Sequence, residues 1–365
     1  MKILLLGEYS NVHWTLAQGL RQFGHKVTVI SNGDFWKNYP RDIDIQREKG
    51  KIGGLKLWTK LIFLLPQLRG YDIVQLINPL FLELKAERIF FFYNYLRKHN
   101  KKIVLGAYGM DYYWIKINIT DMPLRYSDFN IDKTLRTNKD AIKEQKDWLG
   151  TAKEKLNKYI AQTADGIVAG LYEYKVCYDK GFKNKTVFIP FPIKLKKIHI
   201  TKRPPEQQIK IFIGISKKRS QYKGTDIMLK AAQKIKEKYP NKVQLKIVEG
   251  VPFKEYVKAM IESDILLDQL YSYTPAMNAL EAMSNGIIVI GGGEDENYKI
   301  LKEKTLRPII NVLPTYESCF NEIQKLVLNP NKIDLLKKQS IDYINKHHNY
   351  TKVAKQYIDF YNTLM

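Results

Sequence analysis

Residues 2–31 read KILLLGEYSNVHWTLAQGLRQFGHKVTVIS. Lys2 to Gly7, apolar throughout from Ile3 to Leu6, reads as a strand covered on both faces, and Lys26 to Ser31 as a second strand. Between them Glu8 to Asn11 reads as a loop, Val12 to Phe23 as a helix, and Gly24-His25 as its stop. Strand, loop, helix, glycine and strand make a βαβ unit, which requires a parallel sheet because the crossover returns the chain to the edge it left. Ligands of such sheets sit beyond the carboxyl ends of the strands, so the Gly7 to His13 loop is a candidate site. It carries no Gly-x-Gly-x-x-Gly fingerprint, which argues against a dinucleotide enzyme.

The same alternation continues outward. Tyr71–Leu76, Lys102–Gly106, Gly166–Ala169 and Thr186–Ile189 read as strands, with helices at Leu84–His99, Trp148–Thr163 and Glu173–Asp179. Asp121 to Glu144 is polar and poorly periodic, and is expected to be a loop or insertion. Lys194 to Gln208, with Pro204-Pro205, reads as a linker, after which a second α/β series begins. Its strands are Ile209–Ile213, Val243–Val248, Ile265–Asp268 and Ile287–Ile290, with helices at Gly224–Lys238 and Phe253–Ser263. Leu301–Leu306, Tyr316–Leu328, Lys332–Asn345 and Thr351–Met365 are expected to be largely helical. The predicted fold class is α/β, with two tandem Rossmann-like domains facing a cleft. The first spans 1–193 and the second 194–345, and 346–365 is a terminal helix packing back on the first.

A length of 365 residues fits two such cores. Lys+Arg 60 against Asp+Glu 37 gives a formal charge of +23, which speaks to partners rather than fold. Nucleic acid is excluded as the partner, because zinc-finger spacing, RNP-like strands and helix-turn-helix patterns are missing and the lysines are scattered. Phosphorylated small molecules and anionic lipid remain, beside the plain alternative of an AT-rich genome's codon usage. Cys177 and Cys319 lie far apart, pointing to a reducing compartment without a disulfide or metal framework. MKILLLGEYS lacks a small-residue cleavage site and reads as a buried strand rather than a signal peptide. Gly54 to Gly70, GLKLWTKLIFLLPQLRG, is either a basic apolar face for an anionic membrane or a buried helix.

Two stretches carry chemistry. Tyr273 to Gly286, YTPAMNALEAMSNG, places Glu281 in a short apolar helix, followed by IIVI and Gly291-Gly292-Gly293-Glu294. The start of that helix offers open N–H groups and a positive dipole end to a phosphate, and a carboxylate farther in suits sugar hydroxyls. Ile211 to Leu229, IFIGISKKRSQYKGTDIML, delivers a basic loop from a strand to a helix opened by Lys223-Gly224. Arg219 offers a planar fork to a diphosphate and Lys223 a mobile point charge. Fixed cations there stabilise a diphosphate that gains charge as it leaves. The bland reading of this loop is a solvated basic turn.

On these residues the chain resembles the GT-B nucleotide-sugar glycosyltransferases, specifically family 4. The resemblance rests on Gly214, Lys217-Lys218-Arg219, Lys223-Gly224, Glu281 with Ala282-Met283, and Gly292-Gly293. Gly24-His25-Lys26-Val27 and Val187–Ile193 add the first helix stop and the interdomain strand. It implies donor contacts at Gly214, Lys218, Arg219, Lys223 and Glu281, the last holding the nucleotide ribose. Two departures stand out. Tyr273 occupies the place of the first of two family glutamates, so Ser272 to Asn278, with Tyr273, Thr274, Asn278 and Ala279, is left to supply hydroxyl, amide and backbone contacts. Tyr108 stands where a histidine often precedes Gly-x-Asp. Asp111 survives and either binds a hydroxyl of sugar or acceptor or caps the following turn. His13 either faces the cleft or packs beside Trp14, and Glu294 is a further candidate.

The resemblance implies transfer with retention from a nucleotide diphosphate-sugar to a glycan or lipid-linked acceptor, in surface polysaccharide or lipopolysaccharide synthesis. The amino domain would bind the acceptor and the carboxyl domain the donor. No cofactor and no metal is expected, because lysine and arginine serve the diphosphate and Asp42-Ile43-Asp44 lies far from the matched motifs. The expected location is cytoplasmic, peripheral at the inner face of the cell membrane. A nucleotide-sugar epimerase and a non-catalytic nucleotide-sugar-binding subunit are the alternatives.

Overall fold

In a computed structural model that describes residues 1–195, 204, 206–216 and 219–365, the opening crossover forms as β1 (Lys2–Leu6), α1 (Val12–Gln22) and β2 (Lys26–Ser31). There follow β3 (Ile43–Asp44), α2 (Gly50–Leu64), β4 (Ile73–Leu76), α3 (Ala86–His99), β5 (Lys102–Ala107) and α4 (Tyr112–Thr120). A short hairpin, β6 (Asn130–Ile131) with β7 (Thr134–Leu135), precedes α5 (Lys139–Trp148), α6 (Ala152–Thr163), β8 (Gly166–Ala169), α7 (Tyr172–Phe182) and β9 (Thr186–Phe188). The second series runs β10 (Ile209–Ile215), α8 (Ser220–Lys223), α9 (Thr225–Lys238), β11 (Val243–Glu249), α10 (Phe253–Ile261) and β12 (Ile265–Leu267). It continues with α11 (Met277–Ser284), β13 (Ile288–Gly291), α12 (Asp295–Ile300), β14 (Ile310–Asn311), α13 (Tyr316–Leu328) and α14 (Ile333–Tyr343), and α15 (Tyr350–Leu364) ends the chain.

The chain divides into two units. The first comprises 1–123, 143–194 and 349–365, and the second 124–142 and 195–348. Among the described residues the first unit holds a parallel sheet ordered β3-β2-β1-β4-β5-β8-β9, the second a parallel sheet ordered β11-β10-β12-β13-β14. Ile3, Leu4 and Leu5 are fully buried, as an apolar strand flanked by helices on both faces must be. In the second unit Ile211, Ile213, Ile265, Leu267 and Ile288 pack against Met228 and Ile323 of the covering helices.

Three expectations change. Residues 124–142 belong to the second unit although they lie between 1–123 and 143–194 of the first, so a division at 193 misplaces them. Leu301 to Leu306 is not helical: Lys302 adopts φ 55°, which stops α12, and the Glu303 carboxylate then accepts the Thr305 and Leu306 N–H groups. Gly50 to Leu64 is a helix that is both buried and exposed. Gly53, Leu57, Leu61 and Leu64 form its inner stripe, while Ile52, Leu55 and Phe63 are 72%, 65% and 78% exposed.

In the first unit the terminal helix lies on α1. Gly19 permits the approach, since a Cβ there would fall 2.6 Å from the Tyr350 carbonyl oxygen. Behind this contact is a buried polar network. The Tyr361 hydroxyl donates to Gln75 Oε1 at 2.6 Å, Gln75 Nε2 donates to the Tyr108 hydroxyl at 3.0 Å, and Tyr108 and Tyr357 share a hydrogen bond of 2.5 Å.

Candidate functional site

Strand order locates the place for a ligand in the second unit. From β10 the chain passes to β11 on one side, then returns to β12 on the other, so loops leaving β10 and β12 diverge and open a crevice at their carboxyl ends. The loop after β10 carries Arg219, α8 and Lys223, and the residue after β12 is Asp268. Gly214, near the end of β10, lies under the Tyr256 ring, where a Cβ would fall 2.4 Å from the ring. The Tyr256 hydroxyl donates to Asn278 Oδ1 at 3.1 Å, and Asn278 Nδ2 donates to Asp268 Oδ1 at 2.8 Å. Burial raises the Asp268 pKa, while the Lys223 ammonium and the Asn278 amide draw it back. A glycine, a tyrosine, an amide and a carboxylate thus meet at the switch point, with Lys223 near enough for its charge to act on the carboxylate.

Helix α11 begins beside this cluster with Ala276 at its N-cap, a residue whose side chain has no acceptor to offer. The first-turn N–H groups at this end of the helix suit an anion. Asn278 and Glu281 are three residues apart and share a face, so the half-exposed Glu281 stands one turn beyond the amide. Lys223 is half-buried, and its carbonyl accepts the Leu270 N–H at 3.0 Å. Arg219 is exposed, its guanidinium 4.9 Å from the Tyr222 ring centroid. Lys217 and Lys218, the remaining basic positions, lie outside the described residues.

Three residues expected to touch the donor are buried. Ala279 is fully buried and Thr274 is 3% exposed. Tyr273, also 3% exposed, is committed to packing: its hydroxyl accepts the Arg125 N–H at 2.7 Å, its ring lies 4.9 Å from that of Tyr126, and its carbonyl accepts the Glu294 N–H at 3.0 Å. Glu294 itself accepts from the Tyr126 hydroxyl and from Arg125 Nη2. Burial alone would raise its pKa, but those hydrogen bonds hold it below the usual carboxylate range. Position 273 is therefore filled by an aromatic that fastens residues 124–142 to the rest of the second unit.

In the first unit the equivalent switch point, between β1 and β4, is filled from within. The Glu8 side chain accepts the His13 N–H at 3.2 Å and the Trp14 N–H at 2.9 Å, occupying the start of α1 that a phosphate would need. Burial pushes Glu8 up to about 8. His13 faces the core rather than solvent, with no exposed surface. Its Nδ1–H donates to the Gly7 carbonyl at 2.8 Å, and Nε2 lies 3.4 Å from the Gln75 amide nitrogen. Asp111 is equally enclosed and takes the capping role: Oδ1 accepts the Trp114 N–H at 2.8 Å and Oδ2 the Tyr178 hydroxyl at 2.7 Å. Burial raises its pKa to about 6.

A pH test follows. Burial lowers His13 from 6.5 to about 3, so the unfolded chain takes a proton that the folded imidazole refuses. Its share of stability is complete above 6.5 and declines as pH falls toward 3. Glu8 and Asp111 act oppositely, their shares being present in acid and lost as pH rises through about 8 and about 6. Urea unfolding is expected to show a steeper acid decline for the natural chain than for His13→Gln; parallel curves would refute the burial account.

Asp42 and Asp44 are engaged by Arg21 and Arg41 respectively, and no group of three or more His, Cys, Asp or Glu suited to a metal occurs among the described residues. No family model matches the chain, and no curated protein matches it. Solved structures do match. Sucrose-phosphate synthase from Thermosynechococcus elongatus gives a TM-score of 0.66 at 14% identity, over 100% of this chain and 99% of that one. Anabaena HepE in complex with UDP-glucose gives 0.61 at 13%, over 100% of both chains. UDP-GlcNAc 2-epimerase from Neisseria meningitidis, bound to UDP-GlcNAc, gives 0.54 at 11%, over 98% of this chain and 99% of that one. The chain has the GT-B glycosyltransferase fold, built on two Rossmann-like domains.

Proposed function

We propose that the protein is a glycosyltransferase that takes its sugar from a nucleoside diphosphate donor held by the second unit. The observation that carries this reading is the cluster of Lys223, Asp268 and Asn278 at the β10–β12 switch point, beside the open start of α11. Lys223 and Arg219 are assigned to the diphosphate and Glu281 to the ribose hydroxyls, two adjacent acceptors' worth of carboxylate for two adjacent donors. When the bond from the anomeric carbon to the diphosphate oxygen breaks, the electron pair leaves on that oxygen, and the cations offset the charge without a metal. Retention places the incoming hydroxyl on the face the diphosphate leaves, where a phosphate oxygen accepts its proton. The complexes of HepE with UDP-glucose support a nucleotide-sugar donor.

Calorimetry against UDP, ADP, GDP and dTDP and their sugar conjugates tests the assignment. Selective binding that weakens in Lys223→Gln is expected; equal heats for every polyanion would leave only a cationic surface. The epimerase fold neighbour favours a second reading, in which the sugar is isomerised on its own nucleotide. Donor incubated without acceptor distinguishes them, since an epimerised donor would displace the transfer reading. Binding without any turnover would instead indicate a non-catalytic subunit.

The acceptor is assigned to a membrane-borne glycan, in surface polysaccharide or lipopolysaccharide synthesis, at the inner face of the cell membrane. This rests on α2, where exposed Ile52, Leu55 and Phe63 are interleaved with Lys51, Lys56 and Lys60. Phe91 extends the apolar area through Trp58, with the two rings 6.0 Å apart. Each lysine near an anionic surface adds about 1 kcal/mol. No described helix is long and apolar enough to cross a membrane, so the contact would be peripheral. Co-sedimentation with phosphatidylserine vesicles at low salt is expected, lost in Ile52→Ser/Phe63→Ser and in high salt. Equal binding to neutral phosphatidylcholine vesicles would overturn it.

A further inference from the structure

We propose that Arg136, on the segment that joins the second unit ahead of its main chain, is a positioning residue that sets the height and direction of Lys223 in the nucleotide site. The inference rests on the donor assignment given above.

The geometry is that of a clamp. Arg136 Nη2 donates to the Gln221 carbonyl at 2.7 Å, and both terminal nitrogens reach the Tyr222 carbonyl at 3.2 Å. On its other side Nη1 reaches the Ser127 and Asp128 carbonyls at 3.1 and 3.2 Å. The guanidinium carbon lies 3.3 Å from the centroid of the Tyr271 ring. Gln221 and Tyr222 are the two residues before Lys223 in the single-turn helix α8, whose final carbonyls have no room to find partners along their own helix. A cation at that end satisfies them and complements the negative end of the turn. Immediately beyond, the Lys223 carbonyl is held by the Leu270 N–H, and Gly224 turns with φ 74° against the Leu270 side chain. The backbone of Lys223 is thus fixed from before by Arg136 and from behind by Leu270. Its side chain projects from a braced turn instead of a pliant basic loop.

Arginine is required for this. Its planar fork addresses several carbonyls while its face lies on an aromatic ring, and an ammonium supplies neither geometry. A lysine that must meet a diphosphate gains from such bracing, because misplacement of a charge is costly where the group it stabilises develops charge.

A double-mutant cycle tests the proposal, read as affinity for the tightest of UDP, ADP, GDP and dTDP by calorimetry, with the thermal midpoint recorded alongside. Arg136→Gln is expected to weaken binding about 10-fold, and Arg136→Lys nearly as much, since charge without the fork is insufficient. In the Lys223→Gln background the same Arg136→Gln change is expected to cost less than about 2-fold, because the group it positions is gone. Any lowering of the midpoint should be alike in both backgrounds, which separates bracing of the fold from bracing of Lys223. Full affinity in Arg136→Lys, or an equal loss in both backgrounds, would overturn the positioning role. If Lys223→Gln alone leaves affinity intact, or no nucleotide binds, the donor assignment fails instead and the inference falls with it.

Discussion

Lys223→Gln is expected to lower the turnover number by about 10²–10³-fold, the range seen when one preorganised group serving a developing negative charge is removed. The effect should fall on kcat more than on KM. A diphosphate bound as a sugar ester already carries charge, but the bridging oxygen gains its negative charge only as the bond to the sugar breaks. An ammonium aimed at that oxygen is therefore worth more in the transition state than in the bound donor. Glutamine removes the charge while keeping a linear polar side chain at this half-buried position, so packing is little disturbed. The local cost is electrostatic: burial already raises the Asp268 carboxyl, and without the neighbouring cation its pKa rises further. Initial rates measured across donor concentration resolve the two constants. A variant with unchanged kcat and a higher KM would mean that Lys223 only captures the donor.

Much of this was legible in the sequence because the decisive elements are local. Apolar strands of strand length, the glycines that follow α1 and α11, and Lys223-Gly224 at a helix start are written in short windows, and the parallel sheets follow from them. Glu281 reads as part of a short helix for the same reason. What escaped the sequence depends on distant partners. Arg136 lies in a polar stretch without periodicity, and nothing near it indicates that Gln221 and Tyr222, 85 and 86 residues away, await a donor. Tyr273 occupies a position associated with donor contacts, yet Arg125, 148 residues upstream, draws its hydroxyl into packing. His13 and Asp111 carry catalytic-looking chemistry at strand-to-helix loops, but burial makes the first a neutral core imidazole and the second a helix cap. Asp268 had a readable signal that went unused, as an acid directly after the buried strand ILL. Residue type and motif spacing identify the crevice, while side-chain direction decides which members of a motif enter it.

Gln75→Leu is expected to destabilise the protein by about 3 kcal/mol while leaving the activity of the folded fraction unchanged, the reverse of Lys223→Gln. Gln75 is fully buried in the centre of β4, in register with Leu5 of β1 and Val104 of β5, where a polar side chain persists only if satisfied. Its amide donates to the Tyr108 hydroxyl and accepts from that of Tyr361, and it also faces His13 Nε2. Leucine fills a similar volume, so the loss is polar rather than a cavity. It strands the Tyr361 hydroxyl and the imidazole acceptor, each at about 1–3 kcal/mol, while Tyr108 retains Tyr357. Tyr361→Phe deletes one donor without that doubled orphaning, and should cost nearer 1 kcal/mol. Because Tyr357 and Tyr361 both stand on α15, the change should also raise amide exchange in the terminal helix before the sheet is affected. Urea titration gives the free energies and hydrogen exchange the location. Equal costs for the two variants would show that His13 Nε2 takes no share in the network, leaving its imidazole held by the Gly7 carbonyl and by packing.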